Sequence, residues 1–128
     1  ATNTAVLGFG GYTRSPAAIV DITELWNGTN WTEVGDMNAA KRALAGAGIS
    51  TAALGFGGTT STANVGQTET WNGTSWSEVN DLNTARRSLA GTGTNSSALG
   101  FGGNPSVTGA ATEEWSIPGT ITKTLTTT

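Results

Sequence analysis

The pentapeptide Leu-Gly-Phe-Gly-Gly occurs three times in this chain, at Leu7–Gly11, Leu54–Gly58 and Leu99–Gly103. A tryptophan follows each copy, at Trp26, Trp71 and Trp115, and behind the first two come an Asn-Gly-Thr stretch and a second tryptophan, Trp31 and Trp76. Residues 26–58 align on residues 71–103 without a gap, with 21 of the 33 positions identical. A fixed period in the range of about 20 to 50 residues restricts the chain to a stack or ring of like units. Each unit is too small to bury its own apolar face and is completed by its neighbour.

The units are built of strands. Thr4 to Phe9 alternates, with Ala5, Leu7 and Phe9 on one face, and Gly10-Gly11 then supplies backbone freedom for a sharp turn or a close neighbour. This strand is called type B. Ile22 to Trp26 and Trp31 to Val34 read as types C and D, joined at Asn27-Gly28; Thr68 to Trp71 and Trp76 to Val79 repeat them around Asn72-Gly73. Asn-Gly predicts a tight hairpin with positive φ at both central residues. The segments Ala43 to Gly48 and Ser88 to Gly93 are small and glycine-spaced, suited to the most crowded position, and are called type A. Between types B and C, the segments Tyr12–Val20, Thr59–Gly66 and Asn104–Ala110 differ in length and content and are expected to be loops.

The order A, B, C, D is carried by Arg42, Gly57-Gly58, Trp71 and Trp76 in one unit and by Arg87, Gly102-Gly103 and Trp115 in the next. It resembles the kelch repeat, and the resemblance covers nearly the whole chain. It implies an all-β fold of β-propeller blades, each a four-stranded sheet with A nearest the axis and D outermost. On that phase the blades are residues 1–38, lacking strand A, then 39–83 and 84–128. The chain departs from the family in a shorter hairpin between C and D, in Trp instead of Tyr on strand C, and in Ile121 where the last copy's second Trp would stand. The Gly, Thr and Asn richness of near-identical copies also resembles repeat arrays in phage virion proteins, which implies a virion or extracellular surface location.

Composition excludes several classes of activity. Six basic and nine acidic residues are scattered to a net charge of −3, so no basic footprint for a phosphate backbone exists and nucleic acid is not an expected partner. The longest apolar run falls far short of the roughly 20 residues a spanning helix needs, so no membrane insertion is expected. Cysteine and histidine are both absent, which removes disulfides, thiol chemistry, the commonest zinc ligands and the commonest general base. No catalysis, cofactor or metal is expected.

Five sets of residues invite a functional reading. The tryptophans Trp26, Trp31, Trp71, Trp76 and Trp115 could stack on sugar rings, but their equivalent positions favour packing between blades. Asp36 with Arg42 and Asp81 with Arg87 recur at one spacing and suggest ion pairs or turn caps tying blades together. Glu113-Glu114, with Glu69 at the equivalent of Glu113, cannot flank one glycosidic bond, because neighbours on a strand point to opposite faces. Asn27, Asn30, Asn72 and Asn95 fit the glycosylation pattern, which carries little weight in so polar a chain. The divergent loops supply a binding face: Tyr12, Arg14, Thr60, Asn64 and Asn104, joined by Asp36 and Asp81 from the connections that alternating strand direction brings to the same side.

Three readings follow. The first is a non-enzymatic structural or binding module whose loops meet a glycan or a host-surface protein. The second is a lectin or enzyme with a small-molecule pocket at the propeller axis. The third is a designed or reconstructed propeller fragment without function. Three blades leave two open faces, so the expected partner is either a second copy, closing a six-bladed ring as a homodimer, or the remaining blades of a longer parent chain.

Overall fold

The computed structural model describes residues 4–105, 111–116 and, for the backbone, 123–126. Among the described residues eleven strands run in chain order: β1 (Val6–Arg14), β2 (Ala17–Trp26), β3 (Trp31–Val34), β4 (Ala45–Ile49), β5 (Ala52–Phe56), β6 (Thr68–Trp71), β7 (Trp76–Val79), β8 (Ala90–Gly93), β9 (Ser97–Phe101), β10 (Ala111–Ser116) and β11 (Lys123–Thr126). They form three separate sheets, β1-β2-β3, β4-β5-β6-β7 and β8-β9-β10-β11, and every pairing is antiparallel. The fold is all-β, and each sheet is one sequence repeat. The first sheet has three strands because it has no counterpart of β4 and β8, so β1 lies at its edge.

The sheets stack through two apolar layers. Met37, Ala53, Trp71 and Trp76 are buried together with Leu7, Phe9, Val34 and Leu44 between the first and second sheets. Ala45, Leu54, Phe56, Leu89, Ala98 and Trp115, flanked by Ala47, Val79 and Leu82, fill the space between the second and third. The repeated phenylalanine is the knob of each layer. A Cβ added at Gly46 or Gly55 would stand 2.7 or 2.8 Å from the Phe9 ring, and one at Gly91 or Gly100 would stand 2.5 or 2.7 Å from the Phe56 ring. The absence of side chains on two neighbouring strands is therefore what admits the ring of the preceding sheet.

Positive φ explains the second glycine pair. Gly57 has φ of 70°, and a Cβ there would meet the Arg86 carbonyl oxygen at 2.7 Å. Gly58 donates its N–H to that same carbonyl at 2.7 Å, so the pair holds the second sheet to the connection entering the third. Gly11 does the same with the Lys41 carbonyl at 2.9 Å, one repeat earlier.

Four expectations about local structure need correction. Tyr12–Val20 is not a loop: β1 and β2 continue, pairing Gly11 with Val20, Tyr12 with Ile19, Thr13 with Ala18 and Arg14 with Ala17. The β-formers Thr13, Ile19 and Val20 extend this hairpin, whereas the second repeat has Ser, Thr and Asn there, and its β5 ends at Phe56, followed by a loop closed by the single bridge Thr59–Asn64 and the Val65 N–H to Gly58 carbonyl bond at 2.9 Å. The type A strands begin two residues late, at Ala45 and Ala90, because Ala43 and Ser88 sit at φ of 57° and 55° and turn the chain first.

The Asn-Gly stretches are four-residue loops closed by the facing pairs Trp26 with Trp31 and Trp71 with Trp76. Only the glycines, Gly28 and Gly73, have positive φ there. Asn27 Oδ1 instead accepts from the Thr29 and Asn30 N–H groups at 2.9 and 2.8 Å, and Asn72 Oδ1 from Thr74 and Ser75 at 2.8 and 2.9 Å. These side-chain turns do the work expected of the asparagine backbone. In the third repeat the last strand is β11, later than Ile117–Ile121; Ile121 and most of the Asn104–Ala110 segment lie outside the described residues.

Candidate functional site

Alternating strand direction brings the β5–β6 loop beside the two connections that lead into β4 and β8. Arg42 and Thr59 exchange backbone hydrogen bonds at 3.1 and 2.9 Å, and Arg87 and Asn104 do so at 3.0 and 2.9 Å. The loop is held from within: Thr59 Oγ1 donates to the Ala63 carbonyl at 2.9 Å, and the Thr60 N–H reaches the same oxygen at 2.9 Å. Asn64 then crosses to the next repeat, where its Nδ2 donates to the Asn104 carbonyl at 3.2 Å while the Arg87 guanidinium approaches its Oδ1 at 3.5 Å.

The result is a polar concavity of about 330 Å³ lined by Arg42, Thr59, Thr60, Ser61, Thr62, Ala63, Asn64 and Arg87. Arg42 and Arg87 flank it and are exposed. Arg42 also lies over the exposed Tyr12 ring, 4.9 Å from its centroid, a cation–π contact that fixes the guanidinium. Of the residues expected to form a binding face, Tyr12, Thr60, Asn64 and Asn104 thus meet around two arginines that were read as structural. Arg14 sits at the exposed far end of β1, while Asp36 and Asp81 are exposed and do not line this concavity.

The electrostatics that join the sheets lie one residue before those arginines. Lys41 and Arg86 are fully buried, as is Glu69, and Glu113 nearly so. Lys41 Nζ donates to the Gln67 carbonyl at 2.8 Å; Arg86 Nη1 donates to the equivalent carbonyl of Ala111 at 2.7 Å and to that of Gly102 at 3.0 Å. Arg86 Nη2 reaches Glu113 Oε2 at 2.7 Å. Glu69 Oε1 accepts the Asn38 N–H at 2.7 Å and Asn38 Nδ2 at 2.9 Å, and Glu113 Oε1 accepts the Asn83 N–H at 2.5 Å. Burial pushes the Lys41 ammonium below its usual range, opposed by Glu69, Asp81 and Glu78.

The sequence signal for this lock was visible but misassigned. Asn-x-x-Lys and Asn-x-x-Arg recur with the carboxylates Glu69 and Glu113; the spacing of Asp36 to Arg42 and of Asp81 to Arg87 points to the neighbouring arginines, whereas the joints are made by Lys41 and Arg86. Glu113, weighed and set aside as a glycosidic acid, is a structural ion-pair partner. The tryptophans hold their tips by hydrogen bonds: Trp71 Nε1 to the Ser50 carbonyl at 3.1 Å, Trp115 Nε1 to that of Asn95 at 3.1 Å, and Trp76 Nε1 to Thr23 Oγ1 at 2.9 Å. Trp31 is half exposed.

Among the described residues no group of three His, Cys, Asp or Glu side chains is placed to hold a metal ion. No family model matches the chain, and no curated protein matches it.

Proposed function

We propose that this chain is a non-enzymatic binding module of β-propeller type, which presents the Arg42–Arg87 concavity to an acidic partner. The observation that carries the reading is two exposed guanidinium groups flanking a loop of hydroxyls and one amide, while the neighbouring cations Lys41 and Arg86 are buried in the joints between sheets. Paired guanidinium groups donate to carboxylates, and Thr60, Ser61 and Thr62 add neutral hydroxyl partners, a combination suited to an acidic glycan or a carboxylate-bearing protein surface. The site holds no nucleophile with an adjacent base, so binding is the chemistry it supports. The kelch resemblance supports the blade reading of the three sheets, and the likeness to phage virion arrays favours a virion or extracellular surface as the place where such a face would work.

A glycan array that includes uronic and sialic acids tests the reading. Binding confined to acidic glycans, lost in both Arg42→Ala and Arg87→Ala, is the expected result. Binding that is indifferent to both substitutions, or restricted to neutral sugars, would overturn it.

A further inference from the structure

The joint between the first and second sheets is built from parts that the outer faces of the third and first sheets also carry, uncovered. In the joint between the first and second sheets, Phe9 rests on Gly46 and Gly55, with its ring centroid 4.9 Å from that of Trp76. Trp76 crosses to Thr23, the cross-strand partner of Phe9. The donor side of this joint is thus a phenylalanine paired with a threonine, and the acceptor side is a glycine beside a tryptophan.

On the free face of the third sheet, Phe101 is the repeat equivalent of Phe9 and Phe56 and pairs with Thr112. It is 39% exposed, whereas Phe56 is 4% exposed. On the free face of the first sheet, Gly8 is the equivalent of Gly55, and Trp31 is the equivalent of Trp76. Trp31 is 50% exposed against 5% for Trp76. Its ring already has the orientation used in the internal joint, since Trp26–Trp31 and Trp71–Trp76 both stand 5.5 Å apart at 45° and 46°. With no phenylalanine in place, the Trp31 ring edge lies 3.6 Å from where a Gly8 Cβ would be.

We propose that these faces are the two halves of a head-to-tail contact between copies of this chain. Phe101 of one copy seats over Gly8 of the other, and Trp31 of the second donates its indole N–H to the Thr112 hydroxyl of the first. Leu99 of the first packs on Val6 and Trp26 of the second, as the equivalent Leu54 packs in the layer with Ala98 and Trp115. A second copy is the occupant because one chain carries both halves in matching register. Two copies give six sheets, inside the range of about 4 to 8 that closes as a ring, whereas three copies give nine.

The new contact differs from the internal ones in two respects: the first sheet has no counterpart of Gly46 and Gly91, so Phe101 meets a glycine on one strand instead of two, and a carboxylate is left uncovered. Glu24, the equivalent of Glu69 and Glu113, has no copy of the Asn38–Lys41 connection over it and is exposed. Water takes the place of that connection, so the carboxylate stays solvated and the contact is weaker than the covalently linked joints. The inference rests on packing alone and does not depend on the proposed binding face.

Sedimentation equilibrium on the 128-residue chain and two variants tests it. The wild type is expected at twice the monomer mass. Phe101→Asp and Trp31→Asp are each expected at the monomer mass, with unchanged far-ultraviolet dichroism because both side chains are exposed in the single copy. An equimolar mixture of the two retains one intact contact per pair and is expected to recover the dimer mass. A monomeric wild type, a single variant that remains dimeric, or a mixture that stays monomeric would each overturn the proposal. Trp31→Phe, which keeps the ring but removes the N–H, separates the hydrogen bond from packing and is expected to weaken association by about tenfold.

Discussion

Arg86 and Lys41 occupy the same place in consecutive repeats and reach for equivalent carbonyls, those of Ala111 and Gln67, yet only Arg86 has a second nitrogen for its carboxylate. Nη2 of Arg86 lies 2.7 Å from Glu113 Oε2, while Glu69 Oε2 is buried without a hydrogen-bond partner. The two joints are thus one design at two levels of completion, and the difference between them can be measured.

Lys41→Arg is expected to stabilise the protein by about 1 to 2 kcal/mol, because the guanidinium fork can hold the Gln67 carbonyl and reach the orphaned Glu69 oxygen together. Arg86→Met should cost about 3 to 5 kcal/mol, since it leaves Glu113 charged and buried beside an apolar chain. Urea denaturation of both variants reads these changes as shifts in midpoint.

Lys41 also imposes a pH dependence. Its folded-state pKa lies below the usual 10.5 because burial disfavours the ammonium. Between the lowered value and 10.5 the unfolded chain holds a proton that the folded chain has released, so stability rises with pH across that window and is lowest below it. Lys41→Arg, always charged, should flatten this rise. Melting temperatures at a series of alkaline pH values compare the two slopes.

Trp76→Phe should destabilise the protein by about 1 to 3 kcal/mol, because Thr23, which is fully buried, loses the donor that satisfies its hydroxyl. The double variant with Thr23→Val should recover part of that loss. A double-mutant cycle by chemical denaturation gives the coupling energy.

Gly57→Val should cost at least about 3 kcal/mol, combining a β-branched residue at positive φ with a Cβ that meets the Arg86 carbonyl oxygen and the Leu89 side chain. Ser61→Ala, in the exposed loop, should change stability by less than about 0.5 kcal/mol. Thermal melts that ranked the two the other way would contradict the division of this repeat into framework and loop.

The repeat, its strands and the crowding of its glycines were legible in the sequence because each is a local property. Leu-Gly-Phe-Gly-Gly alternates in period two, its glycines stand where no side chain fits, and the same pattern returns at a fixed interval. Tertiary structure decided what depends on which neighbour a side chain meets. Trp31 and Trp76 are the same residue in the same turn, and only the presence of a preceding sheet buries one of them. Lys41 and Arg42 are adjacent cations indistinguishable by composition; the connection into β4, held by the Arg42–Thr59 bridge, sends the first inward to Gln67 and Glu69 and the second outward over Tyr12. Burial is a property of the assembled stack, so the choice between joint and binding face was made by packing.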